Sequence, residues 1–429
     1  MEKMRYGNKY MMKWMFFATL VGIGGGLSAL ALNAAIDAVT FLGVRVPIHL
    51  APIIGGVIVT LLYKFDPDVF GSGSAKYIDS VNLYQGHVKR RTWIAKLIAS
   101  ASTIGFRGSG GVEGPMLLMG GSTANFISKW KRVSKWIDKE DHRILTVCGA
   151  AGAIGAIFRS PLGGGIFAAE ILYKSSLHYS DVFPAILSSS MGFIVYSTLG
   201  TSNPMFAMRD YVTTPTNVFY YILAGIIAGY ISVLFMQLFH KVEYFGDWLN
   251  KHGLEGYLPI LGGILTGFIL LYYPSAAGTG TDFIQSLIEH SYGTSFLIAI
   301  LIAKMLATSF TVGFRGSAGL VIPALFIGAV VGGILSNYLV DGTNGLSNAL
   351  MVSGMTASLA SVANVPIAAP IMLIEMVGFQ VGGSAVIGSV VGYIVGHRKV
   401  VYINMRSDDP DFRVAKDFRK SDRYFETKD

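Results

Sequence analysis

Charge and cysteine are what this sequence has least of. Lysine, arginine, aspartate and glutamate make up 14% of its 429 residues, and Cys148 is its one cysteine. Soluble domains usually carry about 25% charged residues, so a chain this poor in charge is not an ordinary water-soluble fold. One cysteine excludes an intrachain disulfide framework and any cysteine-based metal site. Histidine is also sparse, at eight residues placed mostly at segment ends and in loops. A hydrolase built on the serine of a Gly-Ser-Gly loop therefore lacks its histidine partner. No metal cluster, nucleophilic triad or nucleotide loop stands out, because the glycine-rich elements lack the strand–turn–helix setting that such loops need. The chain is read as a non-enzyme with no cofactor and no metal.

What is present is apolar sequence and glycine. Hydrophobic residues make up 52% of the chain, glycines number 52, and the mean hydropathy is +0.52. The plainest apolar runs are Phe16–Ala31, Leu50–Tyr63, Val218–Phe239, Leu258–Tyr273, Phe296–Ala307, Leu320–Leu339 and Val381–Val395. Many fall short of the ~20 residues of a simple membrane span. Short, glycine-interrupted apolar segments are expected of a transporter with discontinuous helices. Lys3, Arg5, Lys9 and Lys13 precede the first run, which reads as a retained first helix with a cytoplasmic amino end. The net charge of +8 fits basic cytoplasmic loops rather than a nucleic-acid surface.

The chain also repeats itself. Gly105-Phe-Arg-Gly-Ser109-Gly-Gly recurs as Gly313-Phe-Arg-Gly-Ser317-Ala-Gly, 208 residues later, and each copy leads to a proline, Pro115 or Pro323. Ser160-Pro-Leu-Gly-Gly-Gly-Ile-Phe-Ala-Ala-Glu170 matches Val365-Pro-Ile-Ala-Ala-Pro-Ile-Met-Leu-Ile-Glu375, 205 residues later. Two matched blocks in one order indicate a duplicated transporter.

Loop charge sets depth. His87-Val-Lys-Arg-Arg91 and Lys129-Trp-Lys-Arg132, the latter extended by Lys135, Lys139 and Arg143, are the most basic interior loops. Both are assigned to the cytoplasm. The helical piece between them, Thr92 to Ile104, would reach only ~20 Å at 1.5 Å per residue, against a hydrocarbon core of ~30 Å. The segment is predicted to enter the membrane, break at Gly108–Pro115 and return. Glycine gives the break its freedom, and Pro115 suits a first helical turn. The unpaired amides of that turn then form an anion site without a cationic side chain. Glu113 lies in the break, where a carboxylate takes the place of an anion, so its protonation would open the site. A simple helix cap is the alternative role. Ser72, in Phe70-Gly-Ser-Gly-Ser-Ala-Lys-Tyr-Ile-Asp79, either donates to an anion or caps a helix, and the cap is favoured.

Taken together, these elements resemble the CLC family of chloride channels and chloride/proton antiporters. The resemblance runs through Gly71-Ser72-Gly73, Gly111-Val-Glu113-Gly-Pro115, Pro161-Leu…Glu170, Gly319-Leu-Val-Ile-Pro323, Gly354-Met-Thr-Ala, Pro366…Ile374-Glu375-Met376 and Tyr402. It implies an all-α polytopic membrane protein, an inverted repeat of two similar halves with many short, tilted and broken helices. Ser72 and Tyr402 would touch the central anion, and Glu113 would be the gate. Amides of Val112, Glu113 and Gly114 and of Leu320, Val321 and Ile322 would complete the path. The implied assembly is a homodimer with one pore per subunit, multi-pass in the cell membrane with both termini cytoplasmic. The expected layout is a cytoplasmic segment 1–14 and a membrane domain 15–396, with halves at about 15–205 and 215–396. A short segment 397–429 follows, carrying the pore tyrosine and a tail too short for the family's nucleotide-sensing domain.

Five positions depart from the family pattern. Val112 replaces a basic residue, Ser74-Ala75 an Ile-Pro, Val321 an aromatic ring, and Ile171 the glutamate that carries protons in antiporters. Glu170 is a candidate substitute for that glutamate, although adjacent helical side chains point ~100° apart. The sequence therefore favours passive or weakly coupled chloride movement, with chloride/proton exchange as the alternative. Ser72 argues against the fluoride-transporting branch. Arg107 and Arg315 either add positive potential along the path or pair with carboxylates and carbonyls at a vestibule edge, the latter favoured. Lys304 is expected to snorkel or pair.

Overall fold

The computed structural model describes residues 2–174, 177–208, 214–340, 345–397, 402 and 405. Sixteen α-helices run through them, eight on each side of the segment 200–217. The first eight are α1 (Glu2–Gly43), α2 (Ala51–Tyr63), α3 (Ser74–Leu83), α4 (Arg90–Gly105), α5 (Glu113–Ser128), α6 (Lys139–Ile157), α7 (Pro161–Glu170) and α8 (Tyr179–Leu199). Their counterparts are α9 (Val218–Leu249), α10 (Leu258–Tyr272), α11 (Thr281–Glu289), α12 (Thr294–Gly313), α13 (Val321–Leu339), α14 (Gly345–Ala363), α15 (Ala368–Val377) and α16 (Gly382–Gly396). Among the described residues, seven helical stretches are long and apolar enough to cross a membrane. Helix α1 starts at Glu2, so the basic N-terminal residues form its first turns.

Local chemistry explains several starts. Pro161 opens α7, and Asp138 with Asp141 forms a reciprocal capping box at the head of α6. Lys13 of α1 pairs with Asp141, which brings the starts of α1 and α6 to one face. The basic ends of α4 and α5 lie on that face too. Helix α4 runs 16 residues from Arg90, two residues longer at its start than its apolar pattern indicates, and α5 returns from Glu113. Large apolar side chains such as Phe268, Tyr230, Ile194 and Ile394 are exposed, as expected where lipid is the solvent.

The two halves pack against each other head to tail. Glu375, near the end of α15, accepts from the Ser160 hydroxyl at 2.5 Å, the Gly163 amide at 2.8 Å and the Leu162 amide at 3.0 Å, all at the head of α7. Glu170, at the end of α7, accepts from the amides of Ile367 at 3.0 Å and Ala368 at 2.7 Å, at the head of α15. Each carboxylate caps the other half's helix. Such reciprocity requires α7 and α15 to be antiparallel, which is the signature of an inverted repeat.

The breaks after α4 and α12 are cross-pinned in the same way. The Ser109 amide donates to the Thr311 hydroxyl and the Ser317 amide to the Thr103 hydroxyl, both at 3.1 Å. Ser109 also meets the Thr308 hydroxyl, and Ser317 that of Ser100, each at 2.9 Å. These bonds account for the serine in both copies of Gly-Phe-Arg-Gly-Ser. Arg107 and Arg315 have positive φ, 64° and 71°, because each follows a helix whose last carbonyls are closed by a tight turn. Gly108 donates to Thr103 and Gly316 to Thr311, both at 2.8 Å.

Candidate anion site

The two breaks touch at one point. Gly111 and Gly319, 208 positions apart, form a two-residue antiparallel bridge in which each amide donates to the other's carbonyl, at 2.8 and 2.7 Å. A Cβ on either glycine would meet the Glu113 carboxyl, so glycine is required for that side chain to lie across the bridge. Glu113 is wholly buried. Its Oε1 accepts from the Val321 amide at 2.6 Å, the first residue of α13, and the amides of Leu320 and Ile322 are also directed at it. Its Oε2 is buried without a hydrogen-bond partner. The carboxylate thus leaves the head of its own helix and sits on the head of the other half's broken helix. The helix begins at Glu113 itself, two residues earlier than a break at Gly108–Pro115 allows, because Val112 already takes helical angles as N-cap.

The loop before α3 supplies the next polar groups. Gly73, at φ 83°, is the N-cap of α3 and Ser74 its first residue. Ser72 therefore stands one place too early to be the cap favoured from the sequence. Its carbonyl instead abuts Gly114, where no side chain would fit. The residue missed from sequence is Ser74. Its buried hydroxyl makes no close hydrogen bond and neighbours the Tyr402 phenol, which in turn lies within electrostatic reach of Glu113. Tyr402 is 3% exposed and its hydroxyl is likewise unpartnered. Buried polar atoms without partners are uncommon. Three of them, from Ser74, Glu113 and Tyr402, converge beside helix-end amides, an arrangement suited to a small anion.

A buried lysine holds each loop. Lys96 of α4, fully buried, donates to the Val69 and Gly71 carbonyls at 3.0 and 2.8 Å. Lys304 of α12, 208 positions later and also fully buried, donates to Ala276 and Gly278 at 3.1 and 2.9 Å. Lys304 pairs rather than snorkels. The signal was present in sequence, since Gly71-Ser-Gly-Ser74 is echoed by Gly278-Thr-Gly-Thr281. The Ser-to-Thr exchange and the short motif hid it.

The two arginines part company. Arg315 pairs with Asp247, and its carbonyl accepts from Gly71 at 3.3 Å, which places it by the first-half loop. Arg107 lines a cavity of about 870 Å³ beside the second-half loop. Ile171 is fully buried and apolar. Both oxygens of Glu170 accept from amides at the head of α15.

Against known families, residues 54–397 match the model described as "Voltage gated chloride channel". The chain belongs to that family. Among curated relatives, an uncharacterized protein of Methanocaldococcus jannaschii is 28% identical over 402 residues, covering 92% of this chain and 96% of its own length. The H(+)/Cl(-) exchange transporter ClcA of Vibrio vulnificus is 26% identical, covering 84% and 81%. Two solved structures share the fold. A slow cyanobacterial Cl-/H+ antiporter has a TM-score of 0.79 at 20% identity and covers 90% of this chain and 94% of its own. A CLC-type fluoride/proton antiporter scores 0.80 at 19% identity, covering 92% and 98%. Membership makes this CLC protein a membrane transporter of anions rather than an enzyme.

Proposed function

We propose that this CLC protein exchanges chloride for protons through one anion path per subunit, with Glu113 serving both ions. The observation that carries the reading is the Glu113 carboxylate bonded to the Val321 amide at 2.6 Å. An anion arriving at the head of α13 must displace it, and a proton that neutralises it weakens its hold there. Ser72, Ser74, Tyr402 and the amides of Val112–Gly114 and Leu320–Ile322 form the rest of the path. Exchange is supported by the activity of the Vibrio vulnificus relative, an H(+)/Cl(-) exchange transporter. Ser72, set against the Gly114 backbone, supports chloride over fluoride. The resemblance also supports a homodimer in the cell membrane with cytoplasmic termini.

A passive path is the second reading, and Ile171 favours it. No carboxylate stands at that buried position, and Glu170 beside it is engaged elsewhere. Purified protein in liposomes, with chloride efflux and external pH recorded together, separates the two. A chloride gradient that drives protons uphill supports exchange; chloride movement with no proton movement refutes it in favour of the passive path.

A further inference from the structure

The head of α4 carries three basic residues in a row, and two of them are engaged by carboxylates. Lys89, its N-cap, pairs with Asp68 at 3.5 Å, and Arg91 with Asp66 at 4.0 Å. Arg90 between them is exposed and has no carboxylate partner among the described residues. Its guanidinium lies instead over the Phe126 ring of α5, 5.5 Å from the centroid. Phe126 in turn meets the Trp130 ring edge-on at 6.1 Å. A guanidinium stacked on a ring keeps the N–H donors of its own plane free, and that fork matches a phosphate.

Apolar surface leads from this cluster along α4. Ile94 and Ile98 follow Arg90 at four-residue intervals, so all three share one helix face, and both isoleucines are exposed. At 1.5 Å per residue they lie about 6 and 12 Å further along the helix than Arg90. Phe126 and Trp130 are each about half exposed. In the other direction, the turn from α5 into α6 carries Lys129, Lys131, Arg132, Lys135 and Lys139, all exposed. The nearby carboxylates are engaged elsewhere: Asp141 pairs with Lys13, Glu140 with Arg143, and Asp138 accepts from the Asp141 amide. Five cations are thus left without a carboxylate partner among the described residues.

We propose that this edge of α4 and α5 binds an anionic phospholipid, with its phosphodiester at Arg90 and Trp130 and an acyl chain along Ile94 and Ile98. A soluble phosphate ester would match Arg90 but leave the isoleucine lane uncovered. A zwitterionic lipid would cover the lane but leave the basic turn without counter-charge. An anionic lipid does both. Trp130 then stands where headgroup meets chain, the level that indole rings favour, and the five cations of the turn draw anionic lipid to that leaflet. The site lies on the basic face and is independent of how chloride and protons are coupled.

Quenching of Trp130 fluorescence by brominated lipid tests the site. The Trp130 signal is the difference between the unsubstituted protein and Trp130→Phe, in phosphatidylcholine bilayers holding a minor fraction of lipid brominated along its acyl chains. Brominated phosphatidylglycerol is expected to reach half-quenching at about a fivefold lower fraction than brominated phosphatidylcholine, the worth of one basic residue near an anionic surface. Arg90→Gln should bring the two lipids close to parity, and Arg90→Lys should keep part of the preference. Equal quenching by the two lipids overturns the proposal without recourse to any Arg90 variant. So does a preference that Arg90→Gln leaves unchanged. Trp130 that neither lipid quenches would mean that protein covers this edge. Loss of the preference in excess glycerol phosphate would mean that a soluble headgroup suffices; either result overturns the proposal as well.

Discussion

Replacing Glu113 by alanine should turn a self-occupied site into a chloride-binding one, by an amount the structure lets us work out. The carboxylate holds the head of α13 through a charge-assisted bond of 2.6 Å from Val321. Bonds of that kind contribute about 1.5–3 kcal/mol, and each 1.4 kcal/mol is about tenfold in affinity. Burial of the carboxylate opposes its charge and favours the lower end. Chloride binding to Glu113→Ala, titrated calorimetrically in detergent at pH 8, should be about tenfold tighter than to the unsubstituted protein. Glu113→Gln, which keeps a neutral acceptor, should fall between. The sign of the pH effect follows. Protons remove the competing charge, so chloride affinity of the unsubstituted protein should rise as pH falls, while both variants stay flat. Affinity of Glu113→Ala within twofold of the unsubstituted protein, with the same pH slope, would refute the competition.

Three further outcomes are expected. Gly319→Ala puts a methyl group where the Glu113 carboxyl lies, and should reproduce at pH 8 the tighter binding of Glu113→Ala; an unchanged titration would show that the carboxyl does not need that space. Glu375→Ala strips the acceptor from Ser160, Leu162 and Gly163 and should cost about 2–4 kcal/mol, read as a lower melting temperature in detergent, with Glu375→Gln near half of that. Asp68 lies in a connecting turn between α2 and α3. Burial pushes its carboxyl up, but Lys76 and Lys89 outweigh that and hold it below the usual range. A depressed carboxyl stabilises the fold above its unfolded value and loses that contribution as pH falls through the folded one. The melting temperature of Asp68→Asn should therefore sit slightly below the unsubstituted protein at pH 7 and converge with it in acid. A gap that persists in acid would count against the pairing.

Much of this was legible in the sequence because symmetry writes the same constraint twice. Gly-Phe-Arg-Gly-Ser recurs since each serine must reach a hydroxyl of the other half, and the two copies of Pro…Glu recur since each glutamate caps the other's helix. The position of Glu113 at a helix head could be read from Pro115. That its carboxyl crosses to α13 could not, because nothing local to residue 113 names residue 321. Ser72 misled for a similar reason. Its hydroxyl was one residue out of register with the cap, and only the φ of Gly73 reveals where α3 starts. Ser74 and Lys96 went unread because their echoes are a conservative exchange and a single residue inside an apolar helix. Tyr402 came from resemblance alone, since an isolated tyrosine after the last helix carries no pattern of its own.

The cross-pinning of the breaks has a consequence in time. The Ser109 amide finds its acceptor 202 residues further along the chain. At about 5–20 residues per second of synthesis, the first break waits on the order of 10–40 s for the hydroxyl that will fasten it. During that interval the turn after α4 is closed only by its own half, through Gly108 to Thr103, and Ser109 lacks both of its partners. Assembly of the path is therefore a late event, completed when the second half arrives, and the first half on its own is an unfinished object that the insertion machinery has to shelter.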